Sequence, residues 1–227
     1  MRQPYNCIMR FASRSLVLML SAALLLPLLL IAKSFVKPAA KSAINYPAHD
    51  FHRDEQVAIA ADPYDNAEKA NIFSVNFAQH GFLPVFLVIT NDGSQPISLN
   101  DMQIEVTTGD RAKLTPISPD DIYRRLSNPQ ANDRPSSMPI PLPIPRKPVR
   151  GTISQKERDE IESAQFAAKA VEPHNTQSGF LFFDVGGLSQ PLAGANMDIT
   201  GVADANGREL LFFEIAMDKY LNAPKNP

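Results

Sequence analysis

The sequence predicts an all-β, antiparallel sandwich interrupted by one long insertion. Three observations lead there. Apolar residues recur with a two-residue period in short stretches, at Val85, Leu87 and Ile89, at Met102, Ile104 and Val106, and at Phe180 and Phe182. Turn residues that accept positive φ separate those stretches, as in Asn91-Asp92-Gly93, Gly186-Gly187 and Asn206-Gly207. Between the two halves of the pattern, residues 129–148 hold seven prolines, and no interior strand runs through such a segment.

The N-terminus sets the compartment. Arg2, Arg10 and Arg14 precede an uncharged run of eighteen residues, 15–32, which Lys33 and Lys37 close. Basic flank followed by apolar run is the pattern of an export signal. Eighteen residues at about 1.5 Å each are just enough to cross about 30 Å of hydrocarbon, and Pro27 kinks such a span without forbidding it. Residues 1–34 therefore read either as a signal anchor, a hydrophobic helix retained in the inner membrane, or as a signal peptide removed after export. In both readings the remainder lies on the periplasmic side or is secreted. Cys7 is the only cysteine and precedes the run, so the exported part has no disulfide and depends on its core. A net charge of -2 with 44% hydrophobic residues speaks against disorder and against a nucleic-acid footprint.

Residues 35–55 mix Lys, Pro, Ala, Asn and His without periodicity and read as a tether. The domain is expected to span residues 56–222. Residues 57–61, VAIAA, make a first strand, and Asp62-Pro63 a turn. Phe73, Val75 and Phe77 alternate with polar residues, which predicts a half-buried strand. The stretch 85–89 is apolar on both faces and belongs at the centre of its sheet. Residues 97–99 fit a short edge strand, and 102–106 another strand.

The insertion is expected to span residues 118–171. Ser118-Pro119-Asp120-Asp121 is a helix start with Ser as N-cap and acids near the positive end of the dipole. The proline run follows. Ser154 and Glu157 then form a capping-box pattern that opens a helix to Ala170, whose thin stripe of Ile161, Ala164 and Ala168 predicts light contact with the domain surface. The sandwich resumes with strands at 178–185, at Met197 and Ile199, and at 209–217, and the residues after 217 read as a polar tail, 223–227 at the least.

Few residues point to chemistry. His49, His52, His80 and His174 are the imidazoles available to a metal or small ligand, and His49 and His52 stand three apart in the tether with Asp50 and Asp54 beside them. His174, Ser178 and Asp184 occur in the order a hydrolase could use, without a nucleophile-elbow pattern. Asp204-Ala205-Asn206-Gly207 resembles the start of a calcium loop, yet its twelfth position is Ile215, so a hairpin turn explains it better. Met102, Met197 and Met217 fit core positions. No cofactor is called for. The feature with a partner-binding reading is the alternate-proline run Pro139, Pro141, Pro143 and Pro145 with Arg146 and Lys147. Polyproline II is pre-ordered and docks on aromatic grooves at low entropic cost, and the same stiffness suits a spacer.

The stretches VAIAADPYDNAEKAN, GFLPVFLVITNDGSQPISL, SPDDIYRRL, AVEPHNTQSGFLFFDV and GRELLFFEIAMDKYL together resemble uncharacterised exported bacterial proteins with an immunoglobulin-like β-sandwich domain, over about residues 55–222. The resemblance implies fold and compartment and supplies no site residues. The Cys and Trp marks of antibody domains are absent. The expectation is a non-enzymatic envelope domain, held at the inner membrane through residues 15–32 and working by contact with another envelope protein or as a structural part. The alternatives are a small-ligand or metal-binding exported protein and a hydrolase with an unrecognised site.

Overall fold

A computed structural model describes residues 35–127 and 153–224. Its strands are β1 (His49–His52), β2 (Val57–Pro63), β3 (Phe82–Asn91), β4 (Ile97–Ser98), β5 (Gln103–Thr107), β6 (Lys113–Leu114), β7 (Ala170–Val171), β8 (Asn175–Asp184), β9 (Asn196–Thr200) and β10 (Phe213–Ala216). Its helices are α1 (Ala67–Ala70), α2 (Pro119–Ser127), α3 (Gln155–Ala164) and α4 (Asp218–Leu221). The described residues are thus mostly β, with antiparallel sheets ordered β1-β2-β3-β8 and β10-β9-β5-β6, and a ribbon of β4 with β7.

The apolar pattern of β3 explains its place. All ten of its residues are buried, and it lies between β2 and β8, with Val57 opposite Asn91 on one side and Phe82 opposite Asp184 on the other. Pro84 is tolerated because it falls just past the end of β2, where its carbonyl accepts from Tyr64 N at 2.9 Å and no N–H is required. One face of β3, Val85, Leu87 and Ile89, meets Ile104 and Val106 of β5, Met197 and Ile199 of β9, and Phe213 and Ile215 of β10. Two sheets packed over such a core make a sandwich.

The other face carries a second core. Phe82, Phe86 and Val88 of β3 and Phe180 and Phe182 of β8 lie under Phe73, Val75 and Phe77 and under Ile122, Tyr123, Ile161 and Ala164 of α2 and α3. The helices of the insertion therefore form a third layer. This corrects the expectation of light contact, since Ile161 and Ala164 are fully buried. Two small contacts suffice when the opposing face supplies large rings. The helix also ends at Ala164, not Ala170, because the chain then pairs with β8: Phe166 N donates to Phe180 O at 3.0 Å.

Other sequence expectations change as well. Residues 35–55 are no loose tether. Phe35 stacks on Phe73 with ring centroids 5.3 Å apart, Ala43 N donates to Thr90 Oγ1 at 2.9 Å, and β1 pairs with β2. Alanines and one aromatic do this packing, so no periodicity announces it. Phe73, Val75 and Phe77 point inward as their alternation predicts, but they form no strand. The neighbouring sheet positions are taken, and the Ser74 N–H and hydroxyl instead bond Glu160. The last strand is shortened to β10, leaving Leu211 and Phe212 exposed, and 218–221 form α4 where a polar tail was expected. Asp204-Gly207 is the expected turn: Asp204 Oδ1 accepts from Asn206 N at 2.8 Å and Arg208 N at 3.0 Å, and Gly207 takes φ 77°.

Sheet edges are closed by non-strand groups. The free side of β8 receives Ile117 N on Phe182 O at 2.9 Å as well as the bond from Phe166. Where β1 and β10 approach, Glu214 N donates to Asp50 Oδ2 at 3.0 Å, and the His52 ring stacks on Phe213 at 3.9 Å. Such closures remove templates for strand addition.

At the end of β8, Arg125 of α2 pairs with Asp184, whose other oxygen accepts from Gly186 N at 3.0 Å. Hydrogen bonding by the Arg125 guanidinium holds the Asp184 carboxyl below the ordinary carboxylate range. A depressed folded value stabilises the fold at pH above the unfolded value near about 4, and the contribution is lost as the pH falls through the lowered one. The pair is partly solvated, so its worth is about 1 kcal/mol or less. Asp184→Asn is expected to lower the thermal midpoint slightly at pH 7, and the gap to the parent should shrink as the pH falls below about 4, measured by circular dichroism melts. A gap that widens on acidification would contradict the sign.

Candidate functional site

The insertion begins and returns beside one cleft. α2 and α3 are locked together by Tyr123, whose single hydroxyl proton is shared between Glu162 Oε1 at 3.1 Å and Arg158 O at 3.3 Å while the Arg158 guanidinium lies 4.8 Å over its ring. Burial, helped by the Glu162 carboxylate, pushes the Tyr123 phenol up to about 12. Its proton therefore stays in place near neutral pH, and the hydroxyl serves as a fixed donor. Against this pair runs the stretch that carries Ser74, Val75 and Asn76 and the short 3-10 helix Ala78–His80 with Gln79 and His80, and the space between them is an open cleft of about 260 Å³, also lined by Leu126, Ile153 and Glu157.

Glu160 anchors one wall of this region. It is only 4% exposed, and its carboxylate accepts from Ser74 N at 2.8 Å and Ser74 Oγ at 2.5 Å. Two such bonds are what let a carboxylate sit at that depth. The mouth is set by the capping box of α3, where Ser154 and Glu157 bond each other reciprocally. Leu126 and Ile153 lie on either side of residues 128–152 in the sequence, so the proline-rich stretch leaves and rejoins the described fold at this cleft. The cleft is small for a drug-sized ligand, for which about 300–1,000 Å³ is usual, and suits one or two side chains of a polypeptide.

A second polar cluster joins the C-terminus to the domain. Lys69 Nζ lies 2.5 Å from Asp62 Oδ1, 3.2 Å from Pro63 O and 3.4 Å from Tyr220 OH, and 4.4 Å above the Tyr220 ring. Tyr220 OH in turn donates to Asp65 Oδ1 at 2.6 Å. Burial raises the Asp62 carboxyl despite the bond from Lys69, and burial raises the phenols of Tyr64 and Tyr220. The donors of this cluster are spent on one another, which makes it a clasp between α1 and α4.

The residues singled out by sequence do not converge. Pro139, Pro141, Pro143, Pro145, Arg146 and Lys147 lie outside the described residues, as do residues 15–32 and Met138. His49 Nδ1 is 2.6 Å from Tyr46 O, His52 stacks on Phe213, His80 borders the cleft, and His174 sits in the turn before β8 with φ 54°. Among the described residues no group of three or more His, Cys, Asp or Glu is placed to hold a metal. Ser178 and Asp184 stand six residues apart on β8, about 20 Å at the rise of a strand, so with His174 they form no triad. Met197 and Met217 are fully buried in the core, as their spacing predicts.

Sequence reasoning missed Glu160, Ser74 and the Lys69 clasp. One signal was available for Glu160: it adjoins Ile161, the large apolar residue of the helix, whereas Asp159 and Glu162 face outward. Among the described residues the exposed large apolar side chains are Val36 and Ile44 on the N-terminal segment, Phe51 of β1, Leu211 and Phe212 before β10, and Leu221 of α4. Among the described residues no helix is long and apolar enough to cross a membrane. The class defined so far is a mostly-β domain of two antiparallel sheets with a helical layer over one of them. Comparison with family models, curated proteins and solved structures finds no match.

Proposed function

We propose that this chain is a non-enzymatic, exported envelope domain anchored in the bacterial inner membrane, which works through contact with another envelope protein. The observation that carries the reading is the junction at Phe35: the apolar run of residues 15–32 ends three residues before a ring that is built into the core. An anchor joined so closely to a folded domain holds that domain at the bilayer surface. Charge runs the same way. Residues 1–49 carry six Lys and Arg and no Asp or Glu, whereas the described residues 35–127 and 153–224 carry thirteen Lys and Arg against twenty-three Asp and Glu.

We further assign the sandwich to the immunoglobulin-like type. What supports this is the strand order, in which β2, β3 and β8 correspond to strands A, B and E, and β6, β5, β9 and β10 to C′, C, F and G. The position of strand D, beside E, is taken by residues 116–117 and 165–166. In this reading the proline-rich stretch, with Pro139, Pro141, Pro143, Pro145, Arg146 and Lys147, supplies the partner contact beside the cleft.

Fractionation of cells expressing the full chain tests the anchor: it is expected in the membrane pellet after alkaline carbonate, and open to protease added to spheroplasts. A soluble chain protected inside spheroplasts overturns export and anchoring together. Cross-linking with and without residues 135–148 tests the contact, and partners unchanged by the deletion remove that segment from it.

A further inference from the structure

The first residues of the domain present a surface that the anchor alone does not explain. Residues 35–45 run over the aromatic layer: Phe35 packs on Phe73 and Phe180, Lys37 Nζ donates to Ser178 O at 3.1 Å, and Ala43 N donates to Thr90 Oγ1. Phe35 and Ala43 are thus fixed inward, while Lys37 stays exposed and gives one of its three donors to Ser178. Left outward are Val36, 73% exposed, and Ile44, 46% exposed, with Lys37 and Lys41, both exposed. No acidic residue occurs before Asp50. Apolar side chains interleaved with lysines, just after an apolar run and on an otherwise acidic body, have the chemistry of a surface that meets a bilayer interface.

We propose that this outer surface of residues 35–45 docks on the lipid headgroups, with Val36 and Ile44 entering the interface and Lys37 and Lys41 on anionic phosphates. The inference rests on the anchor proposed above and fixes which face of the domain meets the bilayer. Chain length argues for it. From Ala32 to Phe35 the backbone reaches about 10 Å at most. The headgroup layer beyond the hydrocarbon is about 5–8 Å deep on each side, so Phe35 stays at its outer boundary. Because Phe35 is locked in the aromatic core, that boundary falls on the residues around it. Lys37 needs no new conformation for this role, since an ammonium has three donors and Ser178 takes one. Lysines held there are attracted to an anionic surface, while the acidic remainder of the domain is repelled from it.

The chain has no tryptophan, so a single one reports its own surroundings. Full-length Val36→Trp, Ile44→Trp and, as an equally exposed comparator, Leu211→Trp are reconstituted into vesicles of phosphatidylcholine with and without phosphatidylglycerol, carrying brominated acyl chains. Val36→Trp and Ile44→Trp are expected to be blue-shifted and quenched at least about twofold more than Leu211→Trp. The difference should grow with the anionic fraction, and Lys37→Glu with Lys41→Glu should remove that growth. If the chain floats with the vesicles but all three emissions respond alike, the docking surface is wrong and the anchor stands. If the chain does not float, anchor and docking surface fall together. A difference indifferent to phosphatidylglycerol overturns the assignment to the lysines.

Discussion

Gly179→Ala is expected to cost about 3 kcal/mol, the upper range for forcing extra volume into a packed interior. An ideal Cβ on Gly179 would lie 2.5 Å from Phe166 Cα, 2.6 Å from Phe166 N and 2.8 Å from Gln165 C. These are backbone atoms, and no rotamer change relieves them. The methyl fits only if residues 165–166 lift off β8, which breaks the bond from Phe166 N to Phe180 O and pulls on α3. Urea unfolding followed by circular dichroism reads the cost. Hydrogen exchange of the Phe166 amide reads its location: protection there should fall more than at Val88 on the neighbouring strand β3. A variant with the parent's midpoint and an unchanged Phe166 amide would show that the insertion does not press on β8 as described.

Phe73→Ala should be destabilising to a similar degree, about 3–5 kcal/mol for deletion of a buried ring. The Phe73 ring lies 5.3 Å from Phe35, 5.0 Å from Phe77 and 4.9 Å from Phe180, with the last two edge-on. It is the piece that the N-terminal segment and the β8 face share. Its loss removes the platform under Phe35, so residues 35–45 should also become the first site of limited proteolysis. Phe212→Ala is the control, since that ring is 57% exposed and its truncation should stay within about 0.5 kcal/mol. Equal losses from the two substitutions would contradict the aromatic layer as the joint.

Much of the β architecture was legible because a strand buried on one face, or on both, writes its burial into every second residue. β3, β5, β8 and β9 follow from Val85 to Ile89, Ile104 and Val106, Phe180 to Phe183, and Met197 and Ile199. Burial without a ladder reads the same way, and that is why Phe73, Val75 and Phe77 suggest a strand they do not form. The third layer was illegible for a different reason. α3 buries Ile161 and Ala164 together with a carboxylate, so its inner face is too small and too polar to stand out from a solvated helix. The cleft was hidden too, because the stretch holding Ser74 and His80 lies roughly 80 residues from Glu157, and only the fold brings the two together. The N-terminal segment was misread because Ala43 and Ala48 pack by being small, which leaves no mark in a hydropathy pattern.

The pairing of β3 with β8 has a consequence in time. Phe82 lies opposite Asp184 and Asn91 opposite Asn175, so every bond of that ladder closes a loop of roughly 80 to 100 residues. Contacts this remote in sequence form late and slowly. Until residue 184 is available, β3 is paired on one side only, with β2, and its second core lacks the rings of Phe180 and Phe182. Until then the ten consecutive buried residues of β3 lack one of their two ladders, which leaves them open to aggregation.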